Sequence, residues 1–297
     1  MTDFISLNGQ VLPYEEARLA PADGGFLHGA GLFETMRVRN GIIFRLADHL
    51  ERLRVSAEEL TLPLALNESQ LHDLITDLLE ANDLRDARVR LTVSRGDLHA
   101  IDSQNPLPPV TLLITASAFV QYPAELYARG MTVIVSRYLQ NPDNPLCGHK
   151  TTSYLDRLTG LREAQTAGAG EALWFTARDG ALAEGSISNV FMVDRDGVLA
   201  TPPLTLPQKE DVRLCLPGIT RKVVLELARS ANLLPHERMI RIDDLLAARE
   251  VFLTNAIMGV MPVTRIERHA VAEEKPGSIT TELMTAYNQR ITEECGG

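Results

Sequence analysis

The stretch 31-GLFETMRVRNGIIFRLADHLERLRVSAEEL-60 decides the fold class. GLFETMRV alternates as a strand does, Asn40-Gly41 is a tight-turn pair leading into GIIFRL, and Leu50, Leu53 and Leu60 then recur at helical spacing. The stretch reads as strand, strand, helix. Upstream, 4-FISLNGQVLPY-14 places Asn8-Gly9 between two apolar runs, which predicts a hairpin. Downstream, 67-NESQLHDLITDLLEAN-82 carries a leucine stripe behind Asn67 as N-cap, and 88-RVRLTVSR-95 and 110-VTLLITAS-117 read as strands. The pattern is α+β. FVQYPAELY then follows the last strand and 129-RGMTVIVSRY-138 opens a new β run, so we expect one lobe over 1–120 and another over 121–297. In the second lobe, 154–168 (ended by Gly168) and 279–294 read as amphipathic helices, the last as a packing element, and 219–232 reads as a helix. The runs 171–180 and 189–201 read as strands broken by Asp-Gly turns.

Length and composition agree. At 297 residues and 32.7 kDa the chain suits two packed lobes, and 45% hydrophobic with 23% charged residues is ordinary globular usage. A formal charge of -10 argues against binding nucleic acid or an anionic membrane, so an anionic ligand needs a locally basic pocket. The longest apolar runs are too short to span a bilayer and the N-terminus lacks a signal-peptide pattern, so the expectation is cytoplasmic. Cys147, Cys215 and Cys295 form no CxxC pair, which points to reduced thiols and to no metal.

Several residues carry chemistry in one reading and none in another. Lys150, in 147-CGHKTTSYLDRL-158, is either a solvated lysine or an amine tuned by His149 and apolar neighbours for carbonyl chemistry. Tyr154 shares its face if the segment is helical. Glu184, in 183-AEGSISNVFMV-193, is a solvated turn residue or a carboxylate held against a protonated ring nitrogen, with Asn189 to orient it. In 216-LPGITRKVV-224, Pro217-Gly218 is a turn before an N-cap threonine, or a phosphate cradle at the start of a helix using Ile219 and Thr220. Arg52 shares a helical face with His49 and either clamps a phosphate or pairs with Glu51 or Glu58 on the surface. The run 251-VFLTNAIMGVMPV-263 offers a loop at Asn255 and Ala256 whose N–H groups can meet an anion.

In order and spacing, 25-GFLHGAGLFETMRV-38, HLERL, HKTTSYL, EGSISNVF, LPGIT and TNAIMGVMPV together resemble the fold-type IV pyridoxal-phosphate enzymes across nearly the whole chain. That family includes branched-chain aminotransferases, D-amino-acid aminotransferases and 4-amino-4-deoxychorismate lyases. The resemblance implies a small α+β lobe and a larger β-rich lobe with pyridoxal 5'-phosphate between them, in a homodimer acting on a small-molecule substrate. It implies that Lys150 forms the internal aldimine, that Glu184 pairs with the pyridinium nitrogen and that Tyr154 lies near the phenolic oxygen. Arg52, the amides of Ile219 and Thr220, and Asn255 with Ala256 would hold the phosphate.

The family's reactions share proton removal by the freed lysine and diverge afterwards. The lyase expels pyruvate and leaves 4-aminobenzoate, a folate precursor, whereas an aminotransferase releases a keto acid. GLFETMRV, with Thr35, and TNAIMGVMPV resemble the lyase most, which puts the lyase first and a class IV aminotransferase second. The D-specific enzymes carry an Arg-x-His carboxylate trap where this chain reads 94-SRGDLHAIDS-103, with Asp97 and Leu98 before His99. His28 and Ala30 stand where relatives often show Tyr and Asp, and Ser153 replaces a common asparagine. His28 reads equally as a substrate contact or a loop histidine. A catalytically idle relative is the third class, and the retention of Lys150, Glu184 and Arg52 together speaks against it.

Overall fold

The computed structural model describes residues 3–64, 67–100 and 109–296, which fall into two compact units. The first comprises residues up to Val120, His149–Tyr154 and the chain from Ile291, and the second comprises Gln121–Gly148 with Leu155–Arg290. A single cut at residue 120 leaves out two returning segments. The 149–154 strip joins the first unit because its backbone pairs with a strand there, and the last residues join because Arg39 reaches Thr292 (2.8 Å) and Arg45 forks onto Glu294 (2.8 Å).

The first unit is a sheet backed by helices. Its strands are β1 (Phe4–Leu7), β2 (Gln10–Pro13), β3 (Gly31–Arg39), β4 (Ile42–Ile43), β5 (Ala87–Ser94) and β6 (Thr111–Ala118), in the spatial order β2-β1-β6-β5-β3-β4. Both hairpins turn where the Asn-Gly pairs stand. Asn8 and Gly9 have φ 50° and 84°, Asn40 and Gly41 have 51° and 78°, and these left-handed values favour Asn and Gly. The strand expected after Gly41 is short because Arg45, at φ 57°, already starts a helix. A short α1 (Gly24–His28) precedes β3, while α2 (Leu46–Glu59) and α3 (Glu68–Ala81) cover one face. The side chain of Asn67 accepts the Ser69 N–H and caps α3 as expected. Leu53, Leu71, Ile75 and Leu78 pack on Leu32, Met36, Val89 and Leu91. Successive strand residues face opposite ways, so the even positions of β3 build this core and Phe33 and Thr35 lie on the other face.

The second unit holds α4 (Ala124–Arg129), β7 (Met131–Gln140), α5 (Leu155–Thr166), β8 (Glu171–Thr176), β9 (Leu182–Gly185), β10 (Asn189–Val193), β11 (Leu199–Thr201) and the small hairpin β12 (Thr205–Leu206) and β13 (Lys209–Arg213). It continues through α6 (Ile219–Ser230), β14 (His236–Glu237), α7 (Ile242–Leu246), β15 (Glu250–Asn255), β16 (Gly259–Ile266), β17 (His269–Ala270) and most of α8 (Ser278–Glu294). Its mixed sheet runs β14-β11-β10-β15-β16-β7-β8-β9, with β17 on β16. Pro262 stands inside β16 opposite Phe252, and the parallel pairing with β7 starts only at Val263, beyond the residue that has no N–H to give. The amphipathic reading of α5 fails: Leu155 and Leu158 are exposed, and Gly160 and Ala164 are the buried residues. A Cβ at Gly160 would come within 2.8 Å of Trp174, so the helix packs through its small residues.

Candidate active site

In the first unit the lysine segment lies along β3. The Phe33 N–H donates to the Lys150 carbonyl (2.9 Å), the Thr152 N–H donates to the Gly31 carbonyl (2.8 Å), and Thr151 bridges Leu32. Neighbouring side chains of extended chain diverge, and His149 and Lys150 do so. His149 Nδ1 lies 3.0 Å from Ser56 Oγ and its Nε2 3.4 Å from Glu59, both on α2, so this ring anchors the strip instead of tuning the amine. Lys150 Nζ stands 4.4 Å from the Phe33 ring centre and 5.7 Å from that of Tyr154, which meets Phe33 edge-on at 5.2 Å. Lys150 and Tyr154 thus meet as expected, but not on a helix. The α5 helix begins at Leu155, and a turn closed by the Tyr154 N–H on the Thr152 carbonyl (2.8 Å) brings the phenol back.

Arg90 completes this face. It is the β5 partner of Thr35, its guanidinium lies 3.8 Å over Phe33, and its Nε donates to Thr92 Oγ1 at 3.3 Å. Burial pulls its pKa below the ordinary arginine value, with Arg88 adding repulsion and Tyr154 opposing both. Among the described residues no carboxylate pairs with it. The stretch 94–103 compared with the Arg-x-His trap, of which 101–103 lie outside the described residues, stops short of Arg90, and none of the candidate residues read from the sequence is this one. The signal is its place in RVRLTVS, where Arg88, Arg90 and Thr92 share the face opposite the apolar residues.

Behind the sheet lies a buried charge cluster. Glu34 is 1% exposed; Arg52 grips it through Nε (2.8 Å) and Nη2 (2.5 Å), and His49 Nδ1 lies 2.7 Å from it. Burial pushes the Glu34 carboxyl up, but Arg52 and the His49 hydrogen bond outweigh it and hold the pKa at about 2. Burial lowers His49 against the pull of Glu34, so its ring stays neutral, with Nδ1–H assigned as donor to the carboxylate. The alternative reading of Arg52, a surface pair with Glu51 or Glu58, belongs instead to Arg54, which meets both.

In the second unit Glu184 is buried at the end of β9, not solvated in a turn. Its Oε1 accepts from Arg157 Nη2 (2.9 Å) and its Oε2 from the Leu216 N–H (2.9 Å). Arg157 stacks 4.5 Å over Trp174. Asn189 does not reach Glu184 directly; its Nδ2 donates to the Leu216 carbonyl at 2.9 Å. The two side chains therefore hold the main chain of one residue, Glu184 at the amide that enters Leu216 and Asn189 at the amide that leaves it. From that residue the chain enters α6, whose N-cap is Gly218 and not Thr220, so the cap residue offers no side chain to the first N–H groups. The N–H groups of Ile219 and Thr220 have no acceptor within the helix by geometry, which makes an anion-binding start. Asn255 Oδ1 accepts from Ile257 N (2.9 Å) and Met258 N (2.8 Å), so those two N–H groups, which follow the expected donors Asn255 and Ala256, are spent locally.

Gly218 gives a direct test. A Cβ there would lie 2.0 Å from Asn189 Oδ1, although its φ of −65° suits any residue. Gly218→Ala is expected to cost about 1–3 kcal/mol by overpacking and to weaken cofactor binding, as read by thermal unfolding and ligand titration. Asn189→Ala in the same chain should recover part of the loss; no recovery would refute the clash.

Of the remaining candidates, Thr35 is half-buried beside Arg90, while His28 and His99 are exposed. His28 ends α1, and the next residue, Gly29, accepts at its carbonyl from Thr152 Oγ1 (2.8 Å) and Ser153 Oγ (3.3 Å). Among the described residues no metal-ligating cluster occurs, and no helix is long and apolar enough to cross a membrane.

This fold is that of the fold-type IV enzymes, whose cofactor is pyridoxal 5'-phosphate. A model of the family described as amino-transferase class IV matches residues 31–266, and the chain belongs to that family. It is 33% identical to a putative branched-chain-amino-acid aminotransferase of Methanocaldococcus jannaschii, over 95% of this chain and 94% of the relative. It is 32% identical to a D-alanine aminotransferase of Bacillus licheniformis over 98% of each chain, and 31% identical to an aminodeoxychorismate lyase of Bacillus subtilis over 97% and 94%. A branched-chain amino acid aminotransferase from T.th., solved with pyridoxamine 5'-phosphate, superposes with a TM-score of 0.88 at 26% identity, over 99% of this chain and 95% of that one. Each unit holds residues of a chemistry that suits the cofactor: the first a lysine over aromatic rings, the second a buried carboxylate and a helix start where a side chain at 218 does not fit.

Proposed function

We propose that this class IV enzyme is a 4-amino-4-deoxychorismate lyase, releasing pyruvate and 4-aminobenzoate. The observation that carries the reading is the face shared by Lys150, Thr35 and Arg90, where a half-buried guanidinium has no carboxylate partner among the described residues. A substrate bearing carboxylates besides its amine satisfies that cation through paired N–H donors.

When bound, pyridoxal phosphate supplies an electron sink for the pair left by a bond broken beside the amine. Lys150 Nζ takes the proton from the substrate carbon and is the donor for the departing group. Glu184 would hold a proton at the ring nitrogen, and Asn189 keeps the Leu216 main chain beside it in place. Ile219, Thr220, Asn255 and Ala256 bind the phosphate, Arg52 adds a cation oriented by Glu34, and Tyr154 borders the ring. Arg90 orients the substrate carboxylate and Thr35 lends a hydroxyl on the same face, with His28 and His99 as outer contacts. The reading carries with it a cytoplasmic homodimer supplying a folate precursor.

A second reading, a class IV aminotransferase, is favoured by the relatives at 33% and 32% identity. A paired assay on cofactor-loaded protein separates the two. Release of 4-aminobenzoate from aminodeoxychorismate without lasting conversion of the cofactor to its amine form supports the lyase. Conversion by particular L- or D-amino acids with no 4-aminobenzoate makes the protein an aminotransferase.

A further inference from the structure

Two segments assigned to the phosphate meet a side chain that no motif contains. Tyr287, on α8, is 1% exposed, and its Oη lies 3.2 Å from Thr220 Oγ1 at the start of α6. Its ring lies against Gly259, where a Cβ would come within 3.0 Å of Cε1. Gly259, at φ 67°, closes the turn that opens at Asn255. One buried tyrosine thus touches both the hydroxyl of the helix start and the backbone closing the 255–259 turn.

A threonine hydroxyl carries one proton and two lone pairs. With Tyr287 donating to Oγ1, the Thr220 proton is left to point at an anion, where a charge-assisted hydrogen bond is strongest. With no phenol behind it, the same hydroxyl rotates and turns to backbone carbonyls one turn back. We propose that Tyr287 is a positioning residue for the cofactor phosphate, setting the direction of the Thr220 proton and the spacing between α6 and the 255–259 turn. This rests on the assignment of Thr220 to the phosphate.

The test compares pyridoxal phosphate with pyridoxal, which lacks the phosphate, by absorbance titration of the cofactor-free full chain. Tyr287→Phe is expected to raise the Kd for pyridoxal phosphate about 3- to 10-fold, the range of one hydrogen bond, and to leave pyridoxal binding unchanged. Thr220→Val should show the same selectivity, and the double variant should be no weaker than Thr220→Val alone, because the tyrosine acts through that hydroxyl. A Tyr287→Phe protein that binds both ligands normally, or loses both equally, overturns the proposal, as does strict additivity. If Thr220→Val itself fails to discriminate the two ligands, the phosphate assignment falls and the proposal with it.

Discussion

Lys150→Ala is expected to lower turnover by at least about 10³-fold, since on the proposed assignment it removes both the amine that engages the cofactor aldehyde and the base for the substrate proton. The fold should survive. The strip bearing this residue is held by backbone bonds to Gly31 and Phe33 and by the bond of His149 to Ser56 on α2, none of which uses the Lys150 side chain, whose Nζ stands over Phe33 and Tyr154. Such contacts at a partly exposed site are worth about 0.5–1 kcal/mol. Borohydride treatment should fix pyridoxal phosphate to a peptide containing Lys150 in the parent chain and to no lysine in the variant. Unchanged kinetics, or the label on another lysine, removes Lys150 from the centre of the reaction.

Glu34→Ala acts on stability. It strips the counter-charge from Arg52 and the acceptor from His49, both nearly or wholly buried, and breaking such a pair costs about 3–5 kcal/mol. For a chain of this size that corresponds to a fall in Tm on the order of 10 °C. The pH dependence has a definite sign. The Glu34 carboxyl sits at about 2 in the folded chain against an ordinary 4.5, so its contribution is whole above pH 4.5 and drains away as pH falls toward 2. The Tm gap between parent and variant should therefore be widest near neutrality and narrow below pH 4.5. A constant gap across that window would show that Glu34 acts by packing alone.

The first unit is the more legible half in sequence. Its two Asn-Gly pairs carry the left-handed backbone that their turns need, and Asn67 caps the helix it precedes, so local chemistry and tertiary position agree. The cofactor candidates are legible as types at a spacing, but their partners are not. Glu34 reads as a polar position in an alternating strand, and only the packing of α2 on the core face of β3 turns it into a buried anion. Arg90 becomes a neighbour of Lys150 through strand register and through the return of residues 149–154 to β3, both long-range events. The leucines of α5 mislead because its packing is set by what Trp174 leaves room for, not by the apolar stripe.

The main chain of Leu216 has a consequence for how such an enzyme responds to change. Its N–H belongs to Glu184 and its carbonyl to Asn189, while its own side chain takes no part in either bond. Replacing that side chain leaves both bonds available for every residue except proline, which has no N–H. A scan that swaps side chains one at a time will therefore score this position as tolerant, even though Glu184 and Asn189 are joined through its main chain. Constraint here is written in the backbone, and it becomes visible only when the atom replaced is the amide itself.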